Sequence, residues 1–591
     1  MKRRLLLAAT GLALVLATAA AVPGNVGVGA GGGTPGTSRN FTLVGHNPLF
    51  NRGMNAAPTI FDHFVYIGNR TDGSNSCGDF NATGPVAPVL PPTNPDGTCP
   101  HVHPGILVVD VANPASPTVV GEFGNEFVTG ANVGQTSREL RVWPAQKLLM
   151  VMYFRCSRII HACPRSAQHF SIRFFDLAAN PLNPPLIATY TPSQLPHEMY
   201  LWIDPKDPGR ALLWLSTPTG SVNPNVANLI ITDISRARQG SFPEIARGNW
   251  NQLFPGATDP ANYDFDLALH SMAPSVDGTR TYLAYLRGGF GVLDTSKVAN
   301  NQIPAGTVES LNDDLLTPVP FPTWGTGPHC PGHTAAGCAE SHSALPFPGR
   351  PFALTIDEVY GTFTAASFGW PWGWARTWNV AQPKRPHLLG EYKLFQNTQP
   401  FQGSPGDDPA TEQFTSYSSH NPTLTRNLAF DSWHSGGEQA IDLSDPGQPT
   451  QAGWFSPTPL GSVAIEDPAL SRGPNKVVMW SYPIIRDGLI YVVDVRNGLY
   501  VLQYTGPHAD ETDGLAFLEG NSNLGDAVRI DRAPDPSPAH KRGRRPRPPA
   551  SADATRSLAG LVERHGAVSR WRLTCRVACG PEGHENLRSS A

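Results

Sequence analysis

The stretch Gly105-Ile-Leu-Val-Val-Asp110-Val-Ala-Asn-Pro-Ala-Ser-Pro117-Thr-Val-Val-Gly-Glu-Phe123 decides the fold. An apolar run of strand length ends at Asp110, a turn rich in Asn, Pro and Ser follows, and a second strand-like run starts at Thr118. Proline presets φ in such a turn and Asp bonds its own backbone, so the chain reverses there. The same parts recur at Ile172-Arg-Phe-Phe-Asp176, Leu229-Ile-Ile-Thr-Asp233, Phe290-Gly-Val-Leu-Asp294, Arg376-Thr-Trp-Asn379 and Gln439-Ala-Ile-Asp442, with Leu499-Tyr-Val-Leu-Gln503 a degenerate last copy. Their final residues are 66, 57, 61, 85, 63 and 61 residues apart. Two further strand-like runs lie upstream of an anchor, such as Leu140-Arg-Val-Trp143 and Leu148-Leu-Met-Val-Met-Tyr153. Four short strands per unit, repeated seven times, predict an all-β chain folded as a seven-bladed β-propeller over residues 40–507. The last unit lacks an outer strand after Gln503. Asn40-Phe-Thr-Leu-Val-Gly45 has the look of the outer strands elsewhere and is expected to complete that blade and close the ring.

At these residues the chain resembles the LVIVD-repeat family of exported bacterial and archaeal propellers. The copies ending at Asp110 and Asp442 carry the resemblance most clearly, and Asn379 and Gln503 depart from the repeat's Asp. The resemblance implies a fold and an extracytoplasmic setting, and it brings no established reaction.

Composition agrees with many short strands. Charged residues are only 16% of the 591, against about 25% in usual soluble domains. The 58 Gly and 59 Pro interrupt helices and favour tight turns. A net charge of -4 gives no basic field for nucleic acid, so none is expected as a partner.

Lys2, Arg3 and Arg4 precede an apolar run from Leu5 to about Val22 that ends in small residues. That is the pattern of a secretory signal peptide over 1–21, with an uncleaved membrane anchor as the alternative. No other stretch is long and apolar enough to span a bilayer, so no membrane-spanning segment is expected after cleavage. Residues 22–39, with Gly-Ala-Gly-Gly-Gly inside, read as a flexible linker. The protein is therefore expected to be secreted or held at the cell surface. Eight cysteines fall in local pairs, Cys77 with Cys99, Cys156 with Cys163, Cys330 with Cys338 and Cys575 with Cys579, as disulfide clips across loops would require. Zinc-ribbon spacing is missing.

Insertions at 71–103, 301–340 and 395–417 break the rhythm, and loops of this kind carry function more often than blades do. Residues 508–591 read as a basic, Pro/Arg-rich and mostly disordered tail. From 535 onward it holds 11 Lys/Arg against 5 Asp/Glu, and it either touches an anionic surface or is a passive solvated segment.

No G-x-S-x-G elbow, H-E-x-x-H, P-loop or C-x-x-C-H motif is present, which lowers the odds of the common hydrolytic and nucleotide-driven chemistries. What stands out is positional. His197, His270, His342 and His420 each precede the first strand of their unit, in four consecutive units. The first strand of a blade lines the central channel, so four imidazoles would ring the axis and could hold one transition metal, iron, copper or zinc. Glu198 and Glu340 are then candidate acceptors orienting the rings. The alternative is a histidine that belongs to the repeat and bonds backbone. His101, His103 and His333 lie in insertions without counterparts. Trp370, Trp372 and Trp374, alternating along an extended segment, are either a stacking platform for a flat ligand or blade packing. Two functions follow: a non-catalytic exported scaffold binding an unknown extracytoplasmic ligand or protein, which the missing catalytic motifs favour, and a metal-dependent oxidoreductase using the histidines.

Overall fold

Runs of β-branched and aromatic residues with prolines between them form strands wherever both faces can be covered. The computed structural model describes residues 25–70, 102–129, 132, 135–155, 170–254, 268–286, 288–318, 341–358, 372–398, 400–401, 415–467, 470–471 and 473–533. The proposed signal segment, all eight cysteines, Glu340, Trp370 and the chain beyond 533 lie outside these residues, as does most of the first insertion.

The strands pair as successive antiparallel meanders. The first holds Asn55–Phe61, Phe64–Asn69, Ile106–Asp110 and Thr118–Phe123. The second holds Gln135–Trp143, Leu148–Arg155, Ser171–Asp176 and Leu186–Tyr190, and the single pair Asn69↔Ser137 joins the two into one eight-stranded sheet. Then come Glu198–Asp204, Asp207–Ser216, Leu229–Asp233 and Glu244–Gly248, and after them Ser271–Pro274, Arg280–Ala284 and Phe290–Asp294. Ser341–Pro346, Phe352–Asp357, Ala375–Asn379 and His387–Leu394 form the next sheet, followed by Asn421–Leu424, Leu428–Trp433, Gly437–Asp442 and Thr450–Ser456. The last meander is Ile484–Arg486, Leu489–Asp494 and Gly498–Tyr504.

First strands pack on one another in chain order, from Asn55–Phe61 through Asn421–Leu424, and Leu489–Asp494 packs back against Asn55–Phe61. The meanders therefore close into a circuit, and the fold is a β-propeller. Phe41–Asn47 pairs antiparallel with Gly498–Tyr504, so the N-terminal strand completes the last meander as its sequence suggests. Phe41 packs its ring against Tyr504 at 5.2 Å and Phe430 at 6.2 Å, tying the closure into the core.

The recurrent Asp has a physical task. In each copy its carboxylate accepts the backbone N–H two residues on: Asp110 from Ala112, Asp176 from Ala178, Asp233 from Ser235, Asp294 from Ser296 and Asp442 from Ser444, at 2.8 to 3.0 Å. Asn379 does the same toward Ala381 with its amide oxygen at 3.0 Å, so that departure from the motif keeps the turn.

Three expectations change. Of the expected linker over 22–39, the described residues 25–39 are not loose: Asn25–Gly29 runs parallel to His387–Leu394 and Thr37–Arg39 pairs with Thr450–Ser456. Their glycines serve close approach, since a Cβ on Gly27 would strike the Pro449 carbonyl and one on Gly31 the Trp454 ring. Folded chain also continues past 507, where a tail was expected to begin. Short helices at Ala509–Asp513 and Ala527–Arg532 flank Phe517–Glu519, which pairs with Ile484–Arg486 and buries Leu515, Leu518 and Ile530. Finally, among the described residues the meander ending at Asp294 has three strands rather than four. Its outer place is taken by the bridge Leu293↔Leu315, and Pro318 cannot donate to lengthen the pairing. No helix among the described residues is long and apolar enough to cross a membrane.

Candidate metal centre

The four aligned histidines stand at the starts of successive first strands, and the structure brings them together. His197 Nε2 lies 2.9 Å from His270 Nε2, and ring centroids are 3.9 Å apart for His270 and His342 and 4.2 Å for His342 and His420. A serine on one meander holds the backbone of the next histidine. Ser216 donates to the His270 carbonyl at 2.6 Å, Ser271 to that of His342, and Ser343 to that of His420 at 3.2 Å. The repeat thus fixes where each ring starts, and burial fixes where it goes.

The four do not make one ligand group around one point. They form a ladder, and two residues that the aligned position does not reveal complete it. Glu358 follows the second strand Phe352–Asp357, and His434 follows the second strand Leu428–Trp433 of the next meander. Glu358 Oε1 is 3.2 Å from His420 Nε2 and 3.1 Å from His434 Nε2, while Oε2 is 3.5 Å from His342 Nε2. Among the described residues, three sets of side chains have ligand atoms mutually within 4.8 Å: Glu358, His420 and His434; His270, His342 and Glu358; and His197, Glu198 and His270. For metal bonds of about 2.0–2.1 Å, ligand atoms on one tetrahedral ion sit about 3.3 Å apart, which the 3.1, 3.2 and 3.5 Å separations bracket.

Hydrogen bonding decides which nitrogens face the carboxylate. His420 Nδ1 is bonded to the Trp480 carbonyl, which can only accept, so Nδ1 carries the proton. Ser343 Oγ donates its single hydrogen to the His420 carbonyl or to Asn421 Oδ1, so it accepts from His342 Nδ1 at 2.8 Å. In their neutral forms both rings therefore turn a bare Nε2 lone pair toward Glu358. Burial, the largest cause, holds His420 and His342 well below the usual imidazole value; Glu358 opposes this at His420, and neighbouring histidines reinforce it at His342. Burial likewise pushes His197 well down and His270 to about 4. The rings of His342 and His420, held neutral by burial, stack beside Glu358, and a bare Nε2 lone pair facing a carboxylate at these distances is repelled unless a cation, or a proton on the carboxyl group, lies between them.

The wall beside it is aromatic and cationic. Arg138 lies 4.8 Å from the Trp480 ring and 5.3 Å from Phe154, Arg70 lies 4.6 Å from Trp480, and Trp480 also packs on His420 at 4.9 Å. Glu198 is buried beside His197 and His270. Burial first, and Glu139 second, push its carboxyl well above the usual range, and its Oε1 has no hydrogen-bond partner among the described residues.

Trp372 and Trp374, the two described tryptophans of the expected platform, do not form an open face. Trp372 is buried in a cluster with Phe401 and Tyr417, and Trp374 is half-buried, with Arg376 at 4.5 Å, Lys393 at 4.0 Å and an indole N–H donated to Glu391.

No family model matches the chain, and no curated protein matches it. Among solved structures it is similar to the β-propeller domain of Cps50 (Swd1) from Myceliophteria thermophila, with 9% identity, a TM-score of 0.36, and coverage of 76% of this chain and 97% of that one. It is also similar to a candidate 6-phosphogluconolactonase from Bacteroides uniformis, with 9% identity, a TM-score of 0.35, and coverage of 66% and 80%. The fold assignment rests on the strand pairing above.

Proposed function

We propose that this chain is an exported, seven-bladed propeller of the LVIVD type that acts as a metal-dependent oxidoreductase, with Glu358, His420 and His434 as the primary ligands in its central channel. Seven meanders in succession, each turning on an Asp- or Asn-capped anchor except the last, support the blade count and the kinship. The observation that carries the metal is the bare His420 Nε2 set 3.2 Å from Glu358 Oε1 while its Nδ1 is committed to a carbonyl. Two histidines and one carboxylate leave coordination positions open, which suits iron and oxidative chemistry better than a closed structural site. Copper and zinc are the other metals imidazole favours.

Elemental analysis of protein purified without added metal tests this. Iron, copper or zinc is expected at one or more per chain, removable by a strong chelator without loss of the far-UV spectrum of the sheets. Glu358→Gln keeps the volume and removes the charge, and is expected to lose the metal. Folded protein that holds no metal, and takes up none when it is supplied, would leave the non-catalytic scaffold as the better reading.

A further inference from the structure

We propose that the centre is dinuclear, with a second ion held by His270, His342 and the other oxygen of Glu358, so that Glu358 bridges the two. This rests on the metal reading above and extends it. The two oxygens of Glu358 are already divided between partners: Oε1 faces His420 and His434, and Oε2 faces His342. His342 cannot join the first set with one ligand atom apiece, because the mutually close groups separate into Glu358, His420 and His434 on one side and His270, His342 and Glu358 on the other. Each group offers two imidazoles and one carboxylate oxygen. A carboxylate with one ion on each oxygen suits the metal separation of about 3.5–4 Å found in two-metal sites.

The surroundings of the second position support an ion there. The His342 Nε2 lone pair faces Oε2, with its tautomer set by Ser343. His270 Nδ1 has no hydrogen-bond partner among the described residues. Glu198, buried with an unbonded Oε1, lies within ligand reach of His270 and offers a second carboxyl group.

The test is stoichiometry on the full chain. Protein stripped by chelator and shown to be folded is equilibrated with Zn2+, freed of excess ion and analysed for zinc per chain. Two ions are expected in the wild type, one in His342→Ala and one in His434→Ala. Titration with Cu2+ gives a readout that needs no variant: the electron paramagnetic signal grows over the first equivalent and falls as the second fills, because bridged spins couple. One zinc per chain, unchanged by His342→Ala, overturns the second site. Cu2+ signals that rise linearly to two equivalents overturn the bridge. No ion bound at all overturns the metal reading itself, not the second position alone.

Discussion

Acidification of metal-free protein tests the burial of the histidine ladder. His270 titrates at about 4 in the fold, chiefly because burial penalises its charged form, and near 6.5 in the unfolded chain. Between these values the unfolded chain holds a proton that the folded chain does not, so stability is lost as pH falls. From pH 7 to pH 5 the loss from this one residue is about 2 kcal/mol. Buried acids work against it. Asp431, pushed up to about 7 by burial, takes a proton in the fold over a range where the unfolded chain stays ionised, and so adds stability on acidification. The whole-protein curve mixes both signs and decides nothing. The difference between wild type and His270→Asn removes the shared terms. Urea unfolding followed by tryptophan fluorescence, with chelator present, is expected to show the stability of wild type relative to the variant falling by about 2 kcal/mol from pH 7 to pH 5. A gap that stays constant to within about 0.5 kcal/mol, the usual limit of additivity, or that moves the other way, refutes the claim that the ring is held neutral by burial.

Ser343→Ala removes the acceptor that fixes the His342 tautomer while leaving the strand intact; metal affinity in competition with a chelator is expected to drop about 10–100-fold, and unchanged affinity counts against the tautomer argument. Trp480→Ala strips the surface on which Arg70, Arg138 and His420 pack, and is expected to cost about 3–5 kcal/mol in urea unfolding, with a loss below about 1 kcal/mol contradicting that role. Deleting residues 25–47 unpairs the outer edge of Gly498–Tyr504 and two further sheet edges, so the truncated protein is expected to aggregate or melt at lower temperature. A soluble truncation with an unchanged melting temperature would show that closure does not depend on the N-terminal strands.

Much of the fold was legible because the repeat is written in local chemistry. The Asp that ends the third strand is needed at each turn for one backbone N–H, and Asn379 shows that the requirement is for an acceptor of that length rather than for a charge. The closing strand was legible for a related reason, since Phe41–Asn47 must cover the same kind of edge as the other outer strands. The glycine-rich segment misled because glycine has two physical uses. Read alone, Gly27 and Gly31 suggest freedom; in the structure they permit a backbone to lie against Pro449 and Trp454, residues more than 400 positions away. No local pattern announces such a contact. The same holds for 508–533, whose apolar residues are too few to read as a unit and find their cover only on a sheet built by the preceding chain.

Four residues of the site were legible and two were not, and the division follows strand register. The four aligned histidines share both a position and a residue type, so comparison of the units finds them. Glu358 and His434 share a position, one residue past the second strand, but not a residue type, and identity cannot align them. The pairings Ser341↔Asp357 and Asn421↔Ser432 lay the end of each second strand beside the start of the first, which is where the histidines stand. A reader who carried the hairpin register through all the units would look for donors at the second-strand ends as well. Electrostatics gives the same instruction. Apart from Glu198 at its His197–His270 end, the ladder beside Arg138 brings no carboxyl group, and a buried cation held by imidazoles alone carries uncompensated charge. A carboxylate at the same end of the hairpins offsets that charge, and Glu358 meets the histidines there with both oxygens.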